Sequence, residues 1–112
     1  MTHFSTTRHT VNDGVLRLTI TGEVDLSTAD LLTDTITNLI TAGHVAELII
    51  DLDQVTFLDA TGISALIRGN NLAVELGIAY LVTNPHDLVH KVLDITGVLR
   101  LLTERPQPSR LP

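Results

Sequence analysis

The chain has 112 residues, with seven basic and thirteen acidic side chains and a formal net charge of −6 at pH 7. This length is that of a single domain that can bury its own core. Nucleic acids and anionic membrane surfaces attract basic patches, so the acidic balance and the scattered Lys and Arg residues disfavour both as partners. The sequence has no cysteine, which excludes disulfide and thiolate chemistry.

Hydropathy and aromatic content narrow the class further. No apolar run approaches the roughly 18 residues that a membrane span needs. The segment Met1–Ser5 lacks the charged and apolar regions of a signal peptide, so we expect a cytoplasmic protein. Aromatic residues make up only 3% of the chain, which is too few to predict a base-stacking or sugar-binding surface.

The first quarter of the chain predicts a β-hairpin. Phe4–Thr10 is rich in threonine and indicates an edge strand. Asn12–Gly14 is a turn signal, and Val15–Thr21 alternates apolar and polar residues as a half-buried strand does. We expect Gly22–Asp25 to form a loop or a short extended piece after this strand.

An amphipathic helix follows the hairpin. Ser27 is the predicted N-cap, and Asp30 falls in the first turn, where an acidic side chain suits the helix dipole. The apolar positions that recur at helical spacing are Leu32, Ile36, Leu39 and Ile40. Ala42-Gly43 predicts the end of the helix through a glycine cap.

The central segment combines a buried strand with a second helix. Leu48–Asp51 is an apolar run closed by carboxylates, which is typical of a buried strand. We expect Val55–Leu58 to lie in the connection between this strand and the second helix. The helix itself is predicted over Thr61–Leu76. This prediction places the Thr61 hydroxyl at the first turn of the helix, where backbone N–H groups point outward.

The last third repeats the strand–helix order. Ile78–Val82 is a buried run of strand length, and His86–Thr96 has helical spacing. Val98–Thr103 fits a short helix or a strand. The alternation of strands and helices predicts a single α/β domain over residues 1–104, with parallel pairing and an antiparallel first hairpin. The Pro-rich segment 105–112 is the predicted C-terminal tail.

Two segments of this chain resemble the STAS domain family, to which the anti-sigma factor antagonists belong. Asp59–Ile63, which follows Phe57-Leu58, is similar to the family signature Asp-x-Ser/Thr-Gly-(Leu/Ile). Leu18–Asp25 is similar to the upstream family element that ends in Gly-Glu-(hydrophobic)-Asp. The resemblance runs over nearly the whole chain, and it implies a STAS-type mixed β-sheet with helices packed on it.

The resemblance also implies a function. It implies that Thr61 is the phosphoacceptor of a serine/threonine kinase that is itself the anti-sigma factor, and that a phosphatase reverses the modification. It further implies that the unphosphorylated protein sequesters that kinase and frees a sigma factor. The protein is then a binding module without enzymatic activity, and we expect no cofactor.

Charge gives this switch a physical basis. A phosphate adds roughly −1.5 to −2 charges and three acceptor oxygens, which Asp59 and Asp25 would repel. Gly62 leaves room for the close approach of another backbone or of a nucleotide phosphate. Ser64 is a second candidate acceptor or simply a small helix residue. The candidate partner-binding residues are Asp25, Asp59, Gly62, Ile63 and Ser64. The alternatives are an N-cap role for Thr61 and turn formation for the two aspartates.

Other functional classes have weaker support in the sequence. His86 and His90 are four residues apart and lie near Asp87 and Asp94, but a single helix makes a poor tetrahedral site, so we expect no metal. Neither a Gly-x-Ser-x-Gly elbow nor a Gly-rich phosphate loop is present. The main alternative keeps the fold: STAS domains also serve in lipid-transport ATPase complexes and stress-signalling assemblies, where they dock a partner without releasing a sigma factor.

Overall fold

A computed structural model describes residues 4–103 of the chain, so the predicted Pro-rich tail lies outside the described residues. The elements within this range are β1 (Ser5–Asn12), β2 (Val15–Val24), α1 (Ala29–Thr41), β3 (Glu47–Leu58), α2 (Ala60–Glu75), β4 (Ala79–Thr83), α3 (Asp87–Ile95) and α4 (Leu99–Thr103). Their four strands form one mixed sheet in the order β1-β2-β3-β4. β1 and β2 pair antiparallel, and the other neighbours pair parallel. The predicted mixed sheet with helices packed on it is confirmed.

The core lies between one face of the sheet and the helices. Along β2 the buried residues alternate with more exposed ones, because successive side chains of a strand point to opposite faces. Leu18 and Ile20 of β2 belong to the same buried cluster as Ile50 of β3, Ile36 of α1 and Leu66 of α2. The apolar faces of α1 and α2 are therefore buried against this face of the sheet.

A tight contact holds α2 against β4. A Cβ atom on Gly69 would lie 2.7 Å from the Tyr80 hydroxyl and 2.8 Å from Cγ2 of Ile36, so a larger residue there would force one of these side chains to move. The Tyr80 hydroxyl donates a hydrogen bond of 2.8 Å to the carbonyl oxygen of Leu66, and burial raises the pKa of this tyrosine. α2 is thus fixed at close range over the sheet.

The central strands are longer than the sequence pattern predicted. The prediction of a connection at Val55–Leu58 was wrong, because β3 continues to Leu58. Gly22–Val24, predicted as a loop or a short extended piece, belongs to β2. The two extensions pair with each other in parallel, across irregularities in the register. A polar residue such as Asp51 or Asp53 does not end β3, since it lies on the side of the strand that the core does not cover.

Both long helices begin one residue away from the predicted position. The N-cap of α1 is Thr28 rather than Ser27, and Asp30 lies in the first turn as predicted. The N-cap of α2 is Asp59, so Thr61 lies within the first turn and is not the capping residue. The open choice at Val98–Thr103 is settled by a short helix, α4.

Candidate functional site

β2 and β3 end side by side, and each is followed by an aspartate. Val24 is the register partner of Leu58, and the N–H of Asp59 donates a hydrogen bond of 3.2 Å to the carbonyl oxygen of Val24. Asp25 and Asp59 therefore lie at the same edge of the sheet, beyond the carboxyl ends of two parallel strands. This is the edge at which α/β proteins place most of their sites.

Asp59 organises the start of α2 through one carboxylate oxygen. Oδ1 accepts hydrogen bonds from the N–H of Thr61 at 2.9 Å, the N–H of Gly62 at 3.1 Å and the hydroxyl of Thr61 at 2.5 Å. The Thr61 hydroxyl, followed by the two N–H groups, lowers the pKa of Asp59, while desolvation and the nearby Asp25 charge oppose this shift. The carboxylate thus stays ionised and holds the Thr61 hydroxyl in one orientation.

Thr61 faces an open groove rather than the core. It is partly buried and lines a groove of about 180 Å³ between α1 and α2. The charged residues that line this groove are Asp30 and Arg68. Thr61 therefore lies at the rim of the fold, with its hydroxyl on Asp59 and its side chain lining this groove.

Asp25 shapes the neighbouring loop and does not hold Thr61. Its Oδ1 accepts hydrogen bonds from the N–H of Ser27 at 2.9 Å and from the Ser27 hydroxyl at 2.7 Å. The Ser27 hydroxyl is the main cause of the lowered pKa of Asp25. Among the described residues, Asp25 and Thr61 share no hydrogen bond, so of the two aspartates only Asp59 orients the Thr61 hydroxyl.

Gly62 and Ile63 lie beneath the surface of the site. A Cβ atom on Gly62 would lie 2.6 Å from Cδ1 of Leu58 and 2.9 Å from the carbonyl oxygen of Val24. The close approach that this glycine allows is thus to the side chain of Leu58 and to the backbone of Val24 in β2. Ile63 is 7% exposed and belongs to the core, whereas Ser64 is exposed and lines the groove.

Two residues of this site, Leu26 and Arg68, were not predicted from the sequence. Leu26 is 77% exposed and borders the groove together with Arg68. The spacing of Arg68, four residues after Ser64 on the same helix, would have placed both on one face. Leu26 lies in a loop, where no periodicity exists to show which way a side chain points.

His86 and His90 are not arranged as a pair of metal ligands. His86 is the N-cap of α3, with Nδ1 3.0 Å from the carboxylate of Asp87 and Nε2 2.6 Å from the carbonyl oxygen of Asp53. Within residues 4–103, no group of three His, Asp or Glu side chains is placed to hold a metal ion. In the same range, no helix has both the length and the apolar composition to cross a membrane.

Comparison with known proteins assigns the family. A family model described as the STAS domain matches residues 7–109 of the chain. The chain belongs to the STAS domain family. An anti-sigma F factor antagonist from Paenibacillus polymyxa is similar to this STAS domain, with 24% identity over 89 residues that cover 80% of this chain and 76% of that protein.

Solved structures with this fold include further proteins of that kind. An anti-sigma factor antagonist from Mycobacterium paratuberculosis superposes with a TM-score of 0.73 at 26% identity, over 89% of this chain and 83% of that chain. The phosphorylated form of the Bacillus cell fate determinant SpoIIAA superposes with a TM-score of 0.65 at 21% identity, over 89% of each chain. The second likeness concerns the fold alone.

Proposed function

We propose that this STAS domain is an anti-sigma factor antagonist that is switched by phosphorylation of Thr61. In its unphosphorylated form it binds a serine/threonine kinase that is also an anti-sigma factor, and a sigma factor is freed. In its phosphorylated form it releases the kinase, and a phosphatase restores the binding form. The observation that carries the proposal is the Thr61 hydroxyl, held on the Asp59 carboxylate at the open edge of the sheet.

The surroundings of Thr61 explain why a phosphate would act as a switch. The N–H groups of Thr61 and Gly62 already donate to Asp59, so the start of α2 has little capacity left to bind a second anion. Of the described residues, one acidic and one basic side chain line the groove, Asp30 and Arg68, and these give no excess of positive charge. A phosphate of roughly −1.5 to −2 charges would therefore stand uncompensated at the surface.

A partner that covers this edge would have to desolvate the phosphate. Removing a charge from water without a counter-charge is costly, and the carboxylates of Asp25 and Asp59 add repulsion. Leu26, exposed beside the groove, offers apolar area to the partner of the unphosphorylated form. Modification of one side chain thus changes partner affinity without a change of fold.

The similarity to proteins named as anti-sigma factor antagonists supports this partner class. The role needs no catalytic group in the antagonist, because the kinase supplies the chemistry of phosphoryl transfer. It also places the protein in the cytoplasm, where sigma factors act. The residues that we assign to the partner-facing surface are Asp25, Asp59 and Ser64, with Gly62 and Ile63 supporting the turn from beneath.

The direct test is phosphorylation by candidate anti-sigma kinases. The protein is incubated with each kinase and ATP, and the modified residue is mapped by mass spectrometry. We expect phosphate on Thr61 in the native chain and in Ser64→Ala, and none in Thr61→Ala. Phosphate on Ser64 would contradict the proposal. Co-purification with a transport ATPase in place of a kinase would favour the lipid-transport alternative.

A further inference from the structure

A second recess lies on the core side of the sheet, at the edge strand β1. The register pairs Thr6 with Ile20, Arg8 with Leu18 and Thr10 with Leu16. Since paired residues share a face, Thr6, Arg8 and Thr10 point toward the side on which the helices pack. This side of β1 is therefore polar, whereas the same side of β2 is apolar.

The recess runs between β1 and α1, and we call it the β1–α1 groove. It consists of two adjoining cavities of about 340 and 280 Å³ that share Arg8 and Leu39. Thr35 and Asn38 of α1 form part of its wall, and Leu16 and Val45 contribute apolar surface. Small-molecule sites have volumes of roughly 300–1,000 Å³, with apolar linings and few polar groups.

The charge of this groove is opposite to that of the chain. The protein carries thirteen acidic and seven basic side chains, but no Asp or Glu of residues 4–103 lines either cavity. Arg8 lines both cavities, and His44 lines the second one. The Arg8 side chain forms no ion pair or hydrogen bond with the other residues of the range 4–103, so its guanidinium group is available to a ligand.

We propose that the β1–α1 groove binds a small amphipathic anion. Its carboxylate or phosphate head pairs with Arg8, whose planar guanidinium group presents two parallel donors to such an anion. Its apolar body lies over Leu16, Leu39 and Val45. A recess of one charge sign within a protein of the opposite charge also concentrates such ligands from solution. This binding site is separate from Thr61, and its test does not depend on the proposed function.

The chain offers a matched control for this proposal. Arg8 and Arg17 lie on neighbouring strands of the same hairpin, but Arg17 pairs with His9 and therefore points to the opposite face of the sheet. Both side chains are exposed, so neither Arg8→Gln nor Arg17→Gln is expected to disturb the core. The two variants remove the same charge from the protein, and only the first removes it from the groove.

The experiment uses the full chain and three probes below their micelle concentrations: octanoate, octyl phosphate and the neutral octyl glucoside. Binding is followed through backbone amide chemical shifts. We expect both anions to shift resonances of β1 and α1, with octyl glucoside binding at least tenfold more weakly. Arg8→Gln loses a charge-assisted hydrogen bond to the ligand, so its Kd should be about tenfold higher. Arg17→Gln leaves the groove unchanged, so its Kd should equal that of the native chain.

The comparison of octanoate with octyl phosphate identifies the preferred head group. Three results would overturn the proposal: equal weakening in Arg8→Gln and Arg17→Gln, equal affinity for the neutral and anionic probes, or shifts confined to residues outside β1 and α1. Absence of binding by either anion at millimolar concentration would overturn it as well.

Discussion

The hydroxyl of Thr61 and the carboxylate of Asp59 are joined by a hydrogen bond of 2.5 Å, on the same oxygen that caps helix α2. One carboxylate therefore serves both the stability of the helix and the orientation of the candidate phosphoacceptor. A change at Asp59 must affect both properties, and a modification of Thr61 must change the surroundings of the cap.

We expect Asp59→Ala to lower the free energy of unfolding by about 1 kcal/mol, because the N–H groups of Thr61 and Gly62 lose their acceptor. Asp59→Asn should retain most of this stability, since asparagine caps helices about as well as aspartate. Urea denaturation measures both variants. Equal losses in the two variants would show that the charge, and not the cap, stabilises this helix start.

The contribution of Asp59 should depend on pH in the acidic range. Its pKa in the folded protein lies below the ordinary value of 3.8, so its stabilising effect is present above pH 3.8 and is lost as the pH falls through the folded-state pKa. The difference in urea midpoint between the native chain and Asp59→Ala should therefore shrink between pH 6 and pH 2. A constant difference over this range would refute the assignment.

Substitutions at Thr61 should separate charge from size. We expect Thr61→Ala to fold and to bind the kinase, because the groove stays open and neutral at this position. Thr61→Glu should fold but bind much more weakly, as its carboxylate adds charge beside Asp59. Thr61→Gln has nearly the same size without the charge. Affinities measured by calorimetry should therefore rank Ala and Gln above Glu, and equal values for Gln and Glu would remove the electrostatic explanation.

Gly62→Ala should destabilise the fold. The new Cβ atom would meet the carbonyl oxygen of Val24 at 2.9 Å and the side chains of Leu58 and Val24 at still shorter distances. Because a backbone atom is involved, α2 would have to shift, and overpacking of this kind costs roughly 1–3 kcal/mol. Ser64→Ala, an exposed change two residues later in the same helix, is the control and should leave the urea midpoint nearly unchanged.

His86 should contribute more to stability in mildly acidic solution than in alkaline solution. The carbonyl oxygen of Asp53, followed by the carboxylate of Asp87, raises its pKa above the ordinary 6.5. The stabilisation is therefore fully present below pH 6.5 and is lost as the pH rises through the folded-state pKa. The decrease in Tm caused by His86→Gln should be larger at pH 5.5 than at pH 8.5. An equal decrease in Tm at the two pH values would contradict this assignment.

Local patterns predicted most of the elements but not all of their limits. Some patterns depend only on residues that are close in sequence, so they can be recognised without a structure. Examples are the alternation in Val15–Thr21 and the helical spacing of Leu32, Ile36 and Leu39. The extension of β3 to Leu58 depends on a partner strand more than thirty positions away, through pairs such as Thr21 with Gln54. No window of sequence contains that information.

The same distinction applies to the candidate site. The sequence alone brought Asp59, Thr61 and Gly62 together, because they are adjacent in one motif. Which of them caps the helix depended on the backbone of Asp59, which is extended and directs its carboxylate to the next two N–H groups. The sequence indicated that Gly62 allows a close contact. That the contact is with Val24 depends on how α2 packs on β2.

The order of strands and helices, the acidic character and the STAS motif were thus determined by the sequence itself, since each is a property of neighbouring residues. The tertiary structure decided which carboxylate holds the Thr61 hydroxyl, which residues are covered beneath it and which recess contains Arg8. Those features arise from contacts between segments that are distant along the chain, and such contacts exist only once the sheet has formed and the helices have packed on it.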